Sequence, residues 1–219
     1  MAALDLEQLM EAPNLAILIG EAQAALRAEA DERQLFYKTV SEDQKAEFIN
    51  GKIIMNSPVK ERHWTAVGNI MGILRPYAIK KKLGRVASEK ALISLTRNDY
   101  EPDICFWRTD KANAFTGEQM QHPAPDFIVE VLSKGTAKRD RGIKFTDYAA
   151  HGVSEYWLVN PGKQTVEQYM LDPELEEYEL AGKFSADDFI ESKQVSGFRI
   201  PVRAMFDEQA SVEALFLLL

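Results

Sequence analysis

The pattern of apolar and polar positions divides the chain into a helical first part and a second part rich in strands. Residues 5–31 carry leucine, alanine and isoleucine at helical spacing, which predicts one or two helices with a break near Pro13–Asn14. A Ser-Glu-Asp start predicts a second helix over about Ser41–Phe48, ending at the turn signal Asn50–Gly51. KIIMNS then predicts a strand, and HWTAVGNIMGILRPYAIKK predicts an amphipathic helix.

From Arg85 onward, short apolar runs alternate with turn signals, which is typical of β-strands. We predict five strands, in RVASEKALISL, DICFW, DFIVEVL, EYWLVN and TVEQYML. Between the third and fourth, TAKRDRGIKFTDYAAHG predicts a helix that stops at Gly152, and this order implies a βαβ crossover. SGFRIPVRAMF predicts a last strand or loop, and EQASVEALFLLL a short helix. The sequence therefore predicts one α/β domain, residues 35–219, behind a helical extension, residues 1–34.

Composition narrows the class of protein. The 219 residues include one cysteine, so neither an intrachain disulfide nor a cysteine zinc cluster can form. No apolar run approaches the roughly 18 residues of a membrane span, and the acidic N-terminus is unlike a signal peptide. We therefore expect a cytoplasmic protein without a membrane partner. A net charge of −8 argues against a protein that coats nucleic acid through its overall field, but it leaves room for a local basic groove.

Common nucleotide-binding and zinc motifs are missing from the sequence. Neither G-x-G-x-x-G nor G-x-x-x-x-G-K-[ST] is present. The histidines His63, His122 and His151 lie far apart, and we expect each to be a surface or helix-end residue rather than a metal ligand. Cys105, on a predicted strand, is expected to be a small buried hydrophobe.

Two carboxylates stand in unusually apolar surroundings. Glu130 lies within Phe-Ile-Val-Glu-Val-Leu, where a buried charge needs a cation, a metal ion or several hydrogen bonds. A structural salt bridge, or a position on an exposed sheet face, explains it equally well from this strand alone. Asp103 begins a second apolar strand, after Pro102. If the strands are neighbours, the two acids converge on one divalent ion, and oxygen ligands without sulfur or imidazole favour Mg²⁺ or Mn²⁺.

A basic segment follows Glu130. Lys144 shares a predicted helix face with Asp140 and Tyr148, although Asp140 and Lys144 could equally be an ordinary surface pair. Residues 134–144 contain five bases and one acid, a concentration that suits a substrate bearing phosphate. The predicted phosphate-binding residues are Lys134, Lys138, Arg139 and Arg141.

Taken in order, several segments carry a resemblance to a known family. The chain resembles the Uma2 family, also called DUF820, which is grouped with the PD-(D/E)XK nuclease superfamily. The resemblance covers about residues 35–200 and implies a restriction-endonuclease-like core, a mixed central sheet flanked by helices. It rests on AEFINGKIIMNSP, His63, EPDICFW, PAPDFIVEVLS, Thr136, Asp140, Lys144, Tyr148 and HGVSEYWLVNP.

The resemblance also implies roles for individual residues. Asp103 would be the acid of the PD motif and Glu130 the acid of the (D/E)XK motif, both binding metal. Leu132 stands where a strict motif has lysine, so Lys144 is the candidate for the catalytic lysine. Weaker substitutes for it are Lys134 and Lys138. Glu47, expected on the helix before the core strands, resembles an additional metal-binding acid, unless it is a surface residue. Supporting roles fall to His63, Ser133, Asp140 and Tyr148.

These observations lead to three hypotheses about function. The first is a Mg²⁺- or Mn²⁺-dependent endonuclease that hydrolyses DNA phosphodiester bonds. The second is a catalytically inactive module that keeps the fold and binds nucleic acid or protein. The third is a metal-dependent hydrolase of another phosphate ester. The choice between DNA and RNA stays open, and a homodimer is conceivable because cutting two strands needs two sites.

Overall fold

The structure, a computed structural model, describes residues 6–41 and 43–219. The helices of these residues are α1 (Leu6–Glu11), α2 (Leu15–Thr39), α3 (Glu61–Lys81), α4 (Thr109–Ala112), α5 (Ala137–Asp140), α6 (Ile143–Ala150) and α7 (Glu208–Leu218), with a 3₁₀ helix at Val202–Met205. The strands are β1 (Ala46–Ile49), β2 (Lys52–Met55), β3 (Gly84–Ser88), β4 (Leu92–Ser94), β5 (Asp99–Tyr100), β6 (Ile104–Arg108), β7 (Gln121–His122), β8 (Phe127–Val131), β9 (Glu155–Asn160), β10 (Thr165–Asp172), β11 (Glu177–Ser185), β12 (Phe189–Glu191) and β13 (Arg199–Pro201). None of the described helices combines the length and apolarity needed to cross a membrane.

A mixed six-stranded sheet lies at the centre of the fold. Its strand order is β11-β10-β9-β8-β6-β3, and only β8 and β9 among the neighbours run parallel. The helices α5 and α6 connect this parallel pair, so the predicted βαβ crossover is confirmed. A second sheet has the order β2-β1-β5-β4-β7, and β12 pairs with β13 separately.

Side-chain alternation along β8 decides which core each residue joins. Val129 and Val131 pack in the cluster formed with α3 and α7. Ile128 points to the opposite face, where it packs in a cluster that includes Tyr148 of α6. Glu130 shares that second face by alternation, so its carboxylate lies toward α6 rather than toward α3.

The helix predicted over Ser41–Phe48 is wrong. Residues Ala46–Ile49 form β1 and are all buried, so Glu47 lies on a strand and not on a helix. The Asn50–Gly51 pair explains the difference, because both residues have positive φ and join β1 to β2 through a two-residue hairpin. Asn-Gly is the strongest local signal for such a hairpin, and it outweighs the helix-start pattern before it.

Two further differences concern element boundaries. RVASEKALISL is not one strand, since it contributes β3 and β4 to different sheets, with a turn at Glu89, whose φ is +61°. The predicted boundary between residues 34 and 35 falls inside α2. Just before it, Arg33 donates two hydrogen bonds to Asp99 of β5, at 2.6 and 2.8 Å, and thereby fixes α2 to the second sheet.

Candidate active site

Asp103 and Glu130 meet where the adjacent central strands β6 and β8 lie side by side. Asp103 directly precedes β6, which pairs with β8, the strand that carries Glu130. The backbone N–H of Asp103 donates to Oε2 of Glu130 at 3.4 Å, and the N–H of Val131 donates to Oδ2 of Asp103 at 2.8 Å. Both carboxylates are buried. Residues far apart in sequence therefore form one acidic pair.

Lys144 lies on the α6 side of this pair, within a group of carboxylates. Its Nζ is 2.8 Å from Oε1 of Glu130, 2.7 Å from Oε1 of Glu47 and 3.7 Å from Oδ1 of Asp140. The hydroxyl of Tyr148 also donates to Oε1 of Glu130, at 3.0 Å. Lys144 and Tyr148 thus both contact Glu130, and Asp140 joins the group through Lys144. The three residues do not share the one helix that the spacing predicted, because Asp140 belongs to α5 and the other two to α6.

The charges of this cluster are unbalanced. Burial would lower the pKa of Lys144, but the neighbouring carboxylates raise it well above its usual value. Burial raises the pKa of Glu130 to about 8, against the lowering effect of Lys144 and with the added repulsion of Asp140 and Asp103. Burial also raises the pKa of Asp140, neither of whose oxygens has a hydrogen-bond partner among the described residues. One ammonium thus faces three carboxylates, an arrangement that an additional cation would stabilise.

A lysine and a histidine contact the carboxylate of Asp103. Nζ of Lys45 lies 3.2 Å from Oδ1, and Nε2 of His63 lies 3.3 Å from Oδ2. Burial acts to raise the pKa of Asp103, but the hydrogen bond from His63 and the charge of Lys45 lower it below its usual value. The expectation of a site without imidazole is wrong, because the first turn of α3 brings the buried His63 to this carboxylate.

The sequence pattern predicted no role for Lys45. It directly precedes β1 and stands two residues before Glu47, so alternation along the extended chain offers a signal that both side chains share one face. That signal becomes visible only when AEFI is taken as a strand rather than as the end of a helix.

A basic cleft of about 730 Å³ lies beside the acidic pair. Three segments line it, within residues 55–63, 132–141 and 160–163, and His63 is among the lining residues. None of the described residues that line the cleft carries a carboxylate. Its six lysines and arginines are Lys60, Arg62, Lys134, Arg139, Arg141 and Lys163.

Three of the four predicted phosphate-binding residues line this cleft, whereas Lys138 does not. Nη2 of Arg139 donates to Oδ1 of Asn56 at 3.3 Å, while its buried Nε has no partner among the described residues. Arg141 pairs with Glu167 at 2.5 Å and lowers the pKa of that glutamate to about 2. The sequence did not predict the other three bases, Lys60, Arg62 and Lys163, because α3 and the β9–β10 turn bring them to the cleft only in the folded chain.

The hydrogen bonds of Ser133 and Cys105 indicate structural roles for both residues. The hydroxyl of Ser133 lies 3.1 Å from that of Thr136 and accepts the Thr136 N–H at 3.2 Å, so it shapes the loop before α5. Cys105 is buried and directs its thiol to the carbonyl of Ala87, and burial raises the pKa of that thiol. The cysteine is therefore a buried core residue, as expected.

The acidic pair suits a divalent metal ion that takes few of its ligands from the protein. No group of three or more His, Cys, Asp or Glu side chains in residues 6–41 and 43–219 forms a ready-made metal cage. Mg²⁺, however, commonly uses one or two carboxylates and completes its shell with water and substrate phosphate. Asp103 and Glu130 provide such a pair, with Oε2 of Glu130 directed toward the Asp103 backbone.

A mixed central sheet, flanked by helices and carrying this acidic pair at adjacent strands, defines a restriction-endonuclease-like α/β fold. Residues 30–203 match the model of the Uma2 family, described as "putative restriction endonuclease", and the chain belongs to this family. The fold is similar to the crystal structure of a "putative nuclease belonging to DUF820" from Anabaena variabilis, with 19% identity, 78% of this chain and 94% of that chain covered, and a TM-score of 0.65. No curated protein matches the sequence.

Proposed function

We propose that the protein is a Mg²⁺- or Mn²⁺-dependent endonuclease that hydrolyses phosphodiester bonds of DNA. The observation that carries this proposal is the position of the acidic pair Asp103 and Glu130 beside a cleft whose described lining residues include six bases and no carboxylate. His63 connects the two features, since it lines the cleft and contacts Asp103. The family membership supports the same class of reaction.

The cleft accounts for substrate binding. A chain with a net charge of −8 repels nucleic acid over most of its surface, so binding needs a local region of opposite charge. The lysines and arginines of the cleft supply that region and contact phosphate groups without reading the base sequence.

Asp103 and Glu130 would hold the metal ion, and Lys144 fixes Glu130 in position. A bound divalent ion supplies polarisation of the phosphate and a lowered pKa for the attacking water. Lys144 and Tyr148 both donate to Oε1 of Glu130, which leaves Oε2 directed toward Asp103. Glu47 orients Lys144 at 2.7 Å, and its sequence-based assignment as a metal ligand stays a prediction.

A second candidate function is a nucleic-acid-binding module without catalysis. One observation favours it: each acid of the pair already has a cation from the chain itself, Lys45 for Asp103 and Lys144 for Glu130. Such internal pairing satisfies buried acids without any metal.

A cleavage and binding panel separates the two functions. Single-stranded, duplex and branched DNA, and a matching RNA, are incubated with the protein in Mg²⁺, Mn²⁺ or EDTA. The nuclease proposal predicts cleavage in metal that stops in EDTA and in Asp103→Asn, while the exposed-acid control Asp187→Asn cuts like the parent. Binding without cleavage in either metal supports the module, and absence of both binding and cleavage overturns both proposals.

A further inference from the structure

Two lysines approach the acidic pair, and they differ in how many N–H donors of their ammonium groups are free to bind a substrate. The side chain of Lys144 is 4% exposed, and its Nζ lies within 2.8 Å of two carboxylates, with a third at 3.7 Å. An ammonium has three N–H donors, and here each has a carboxylate close by. Lys144 could therefore contact a substrate only by giving up a buried carboxylate.

Lys45 is in the opposite situation. Its side chain is 25% exposed, and Oδ1 of Asp103 at 3.2 Å is its one hydrogen-bond acceptor among the described residues. Two of its N–H donors remain available. Its backbone carbonyl accepts the N–H of Asn56 at 2.9 Å, and Asn56 lines the cleft. The backbone of Lys45 is thus anchored next to the cleft, while its ammonium lies on Asp103.

Through Asp103, this ammonium is one contact away from the cleft, although Lys45 itself is not among the residues that line it. Lys45 contacts one oxygen of the carboxylate, and His63, which lines the cleft, contacts the other. We propose that Lys45 is the catalytic lysine and contacts a non-bridging oxygen of the phosphate under attack, and that Lys144 is a positioning residue for Glu130. This inference rests on the proposed nuclease function. A cation at that place stabilises the negative charge that develops on the phosphate oxygens in the transition state.

Lys45→Ala and Lys45→Arg test the inference, with Lys52→Ala as the matched control. Lys52 lies on β2 of the same hairpin, is exposed and has no ion pair among the described residues. Loss of one preorganised charge contact predicts single-turnover cleavage about 100-fold slower in Lys45→Ala. Lys45→Arg, which keeps the charge, should recover part of that rate. The melting temperature of Lys45→Ala should stay close to that of the control.

Mn²⁺ binding gives a second readout that a purely structural role would not produce. Removing Lys45 frees Asp103 from a competing cation, so Lys45→Ala should bind Mn²⁺ at least as tightly as the parent while it cuts more slowly. Parental cleavage by Lys45→Ala, or weakened Mn²⁺ binding together with a lowered melting temperature, would overturn the inference.

The inference and the nuclease proposal fail separately. If the parent cleaves no nucleic acid in either metal, the nuclease proposal fails, and binding of duplex DNA then decides the role of Lys45. If Lys45→Ala binds the duplex more weakly than Lys52→Ala does, the proposed contact between Lys45 and phosphate is supported. If the two variants bind equally, that contact is refuted.

Discussion

Replacing Lys144 by methionine tests whether one buried ammonium holds the carboxylate cluster together. Methionine is unbranched, flexible and apolar, so it fills most of the space and removes the charge. The change leaves Glu47, Glu130 and Asp140, all buried, without their shared cation. We expect the variant to fold with a large loss of stability.

The expected loss follows from the burial of both partners. Removing one member of a buried ion pair costs about 3–5 kcal/mol, because it leaves an uncompensated buried charge. Domains are typically stable by about 5–15 kcal/mol, so a measurable folded population should remain. Lys144 serves two close carboxylates, but Glu130, whose pKa burial already raises, can take up a proton once the ammonium is gone, and we therefore expect the cost to stay within that range.

The pH dependence of this loss has a definite sign. In the parent, the pKa of Glu130 is raised from 4.5 to about 8, so this group binds more protons in the folded than in the unfolded chain between those values. Its contribution to stability therefore falls as the pH rises through this window. Lys144 lowers the pKa of Glu130, so its removal raises that pKa further and extends the fall to higher pH. The deficit of Lys144→Met relative to the parent should be smaller near pH 5 than near pH 8.

Urea unfolding of the parent, Lys144→Met and Lys52→Met at both pH values measures the effect. The exposed control should lie within about 0.5 kcal/mol of the parent, as surface substitutions usually do. Adding Glu130→Gln to Lys144→Met should return part of the lost stability, since one unpaired carboxylate is gone. A Lys144→Met variant as stable as the parent, or one whose deficit does not change with pH, would refute this account of the cluster.

Three further predictions concern the metal, the cleft and the core. In calorimetry, Mn²⁺ should bind more tightly as the pH rises towards about 8, because Glu130 must lose its proton, and the signal should vanish in Glu130→Gln. Arg62→Ala should reduce the slope of log K against log salt for duplex DNA by about 0.9, whereas Lys138→Ala, outside the cleft, should leave it unchanged. Glu155 accepts five hydrogen bonds, from Trp157, Gln168, Ser192, Lys193 and Gln194, so Glu155→Gln should cost about 1–3 kcal/mol in urea unfolding.

Much of the central fold could be predicted because its signals are local. DFIVEVL and EYWLVN are β8 and β9, and the helical pattern between them forms the crossover. Glu130 could be identified from an equally local pattern, because a carboxylate among large apolar residues needs a partner wherever the strand lies. The i, i+4, i+8 spacing indicated Asp140, Lys144 and Tyr148 as a group. In the structure Lys144 and Tyr148 contact that glutamate and Asp140 lies near Lys144, although the three residues belong to two helices.

The rest of the site depends on pairing across the fold, which spacing along the chain does not reveal. Lys45 reaches Asp103 only because β1 is a strand, and the Ser-Glu-Asp pattern pointed to a helix there. His63 has the sequence context of an ordinary helix-end residue, and it reaches Asp103 only because α3 packs against the central sheet. One wall of the cleft comes from segments that have no sequence relation to the basic loop, so Arg62 and Lys163 gave no signal.

Cleavage and binding of one labelled duplex by the parent and by Asp103→Asn test the central claim most directly. The parent should cut the duplex in Mn²⁺ and stop in EDTA. Asp103→Asn should not cut in any metal, yet without metal it should bind the duplex as tightly as the parent or more tightly, because one repulsive charge has gone. Cleavage by Asp103→Asn at the parental rate would contradict the claim that the pair of Asp103 and Glu130 forms the catalytic centre.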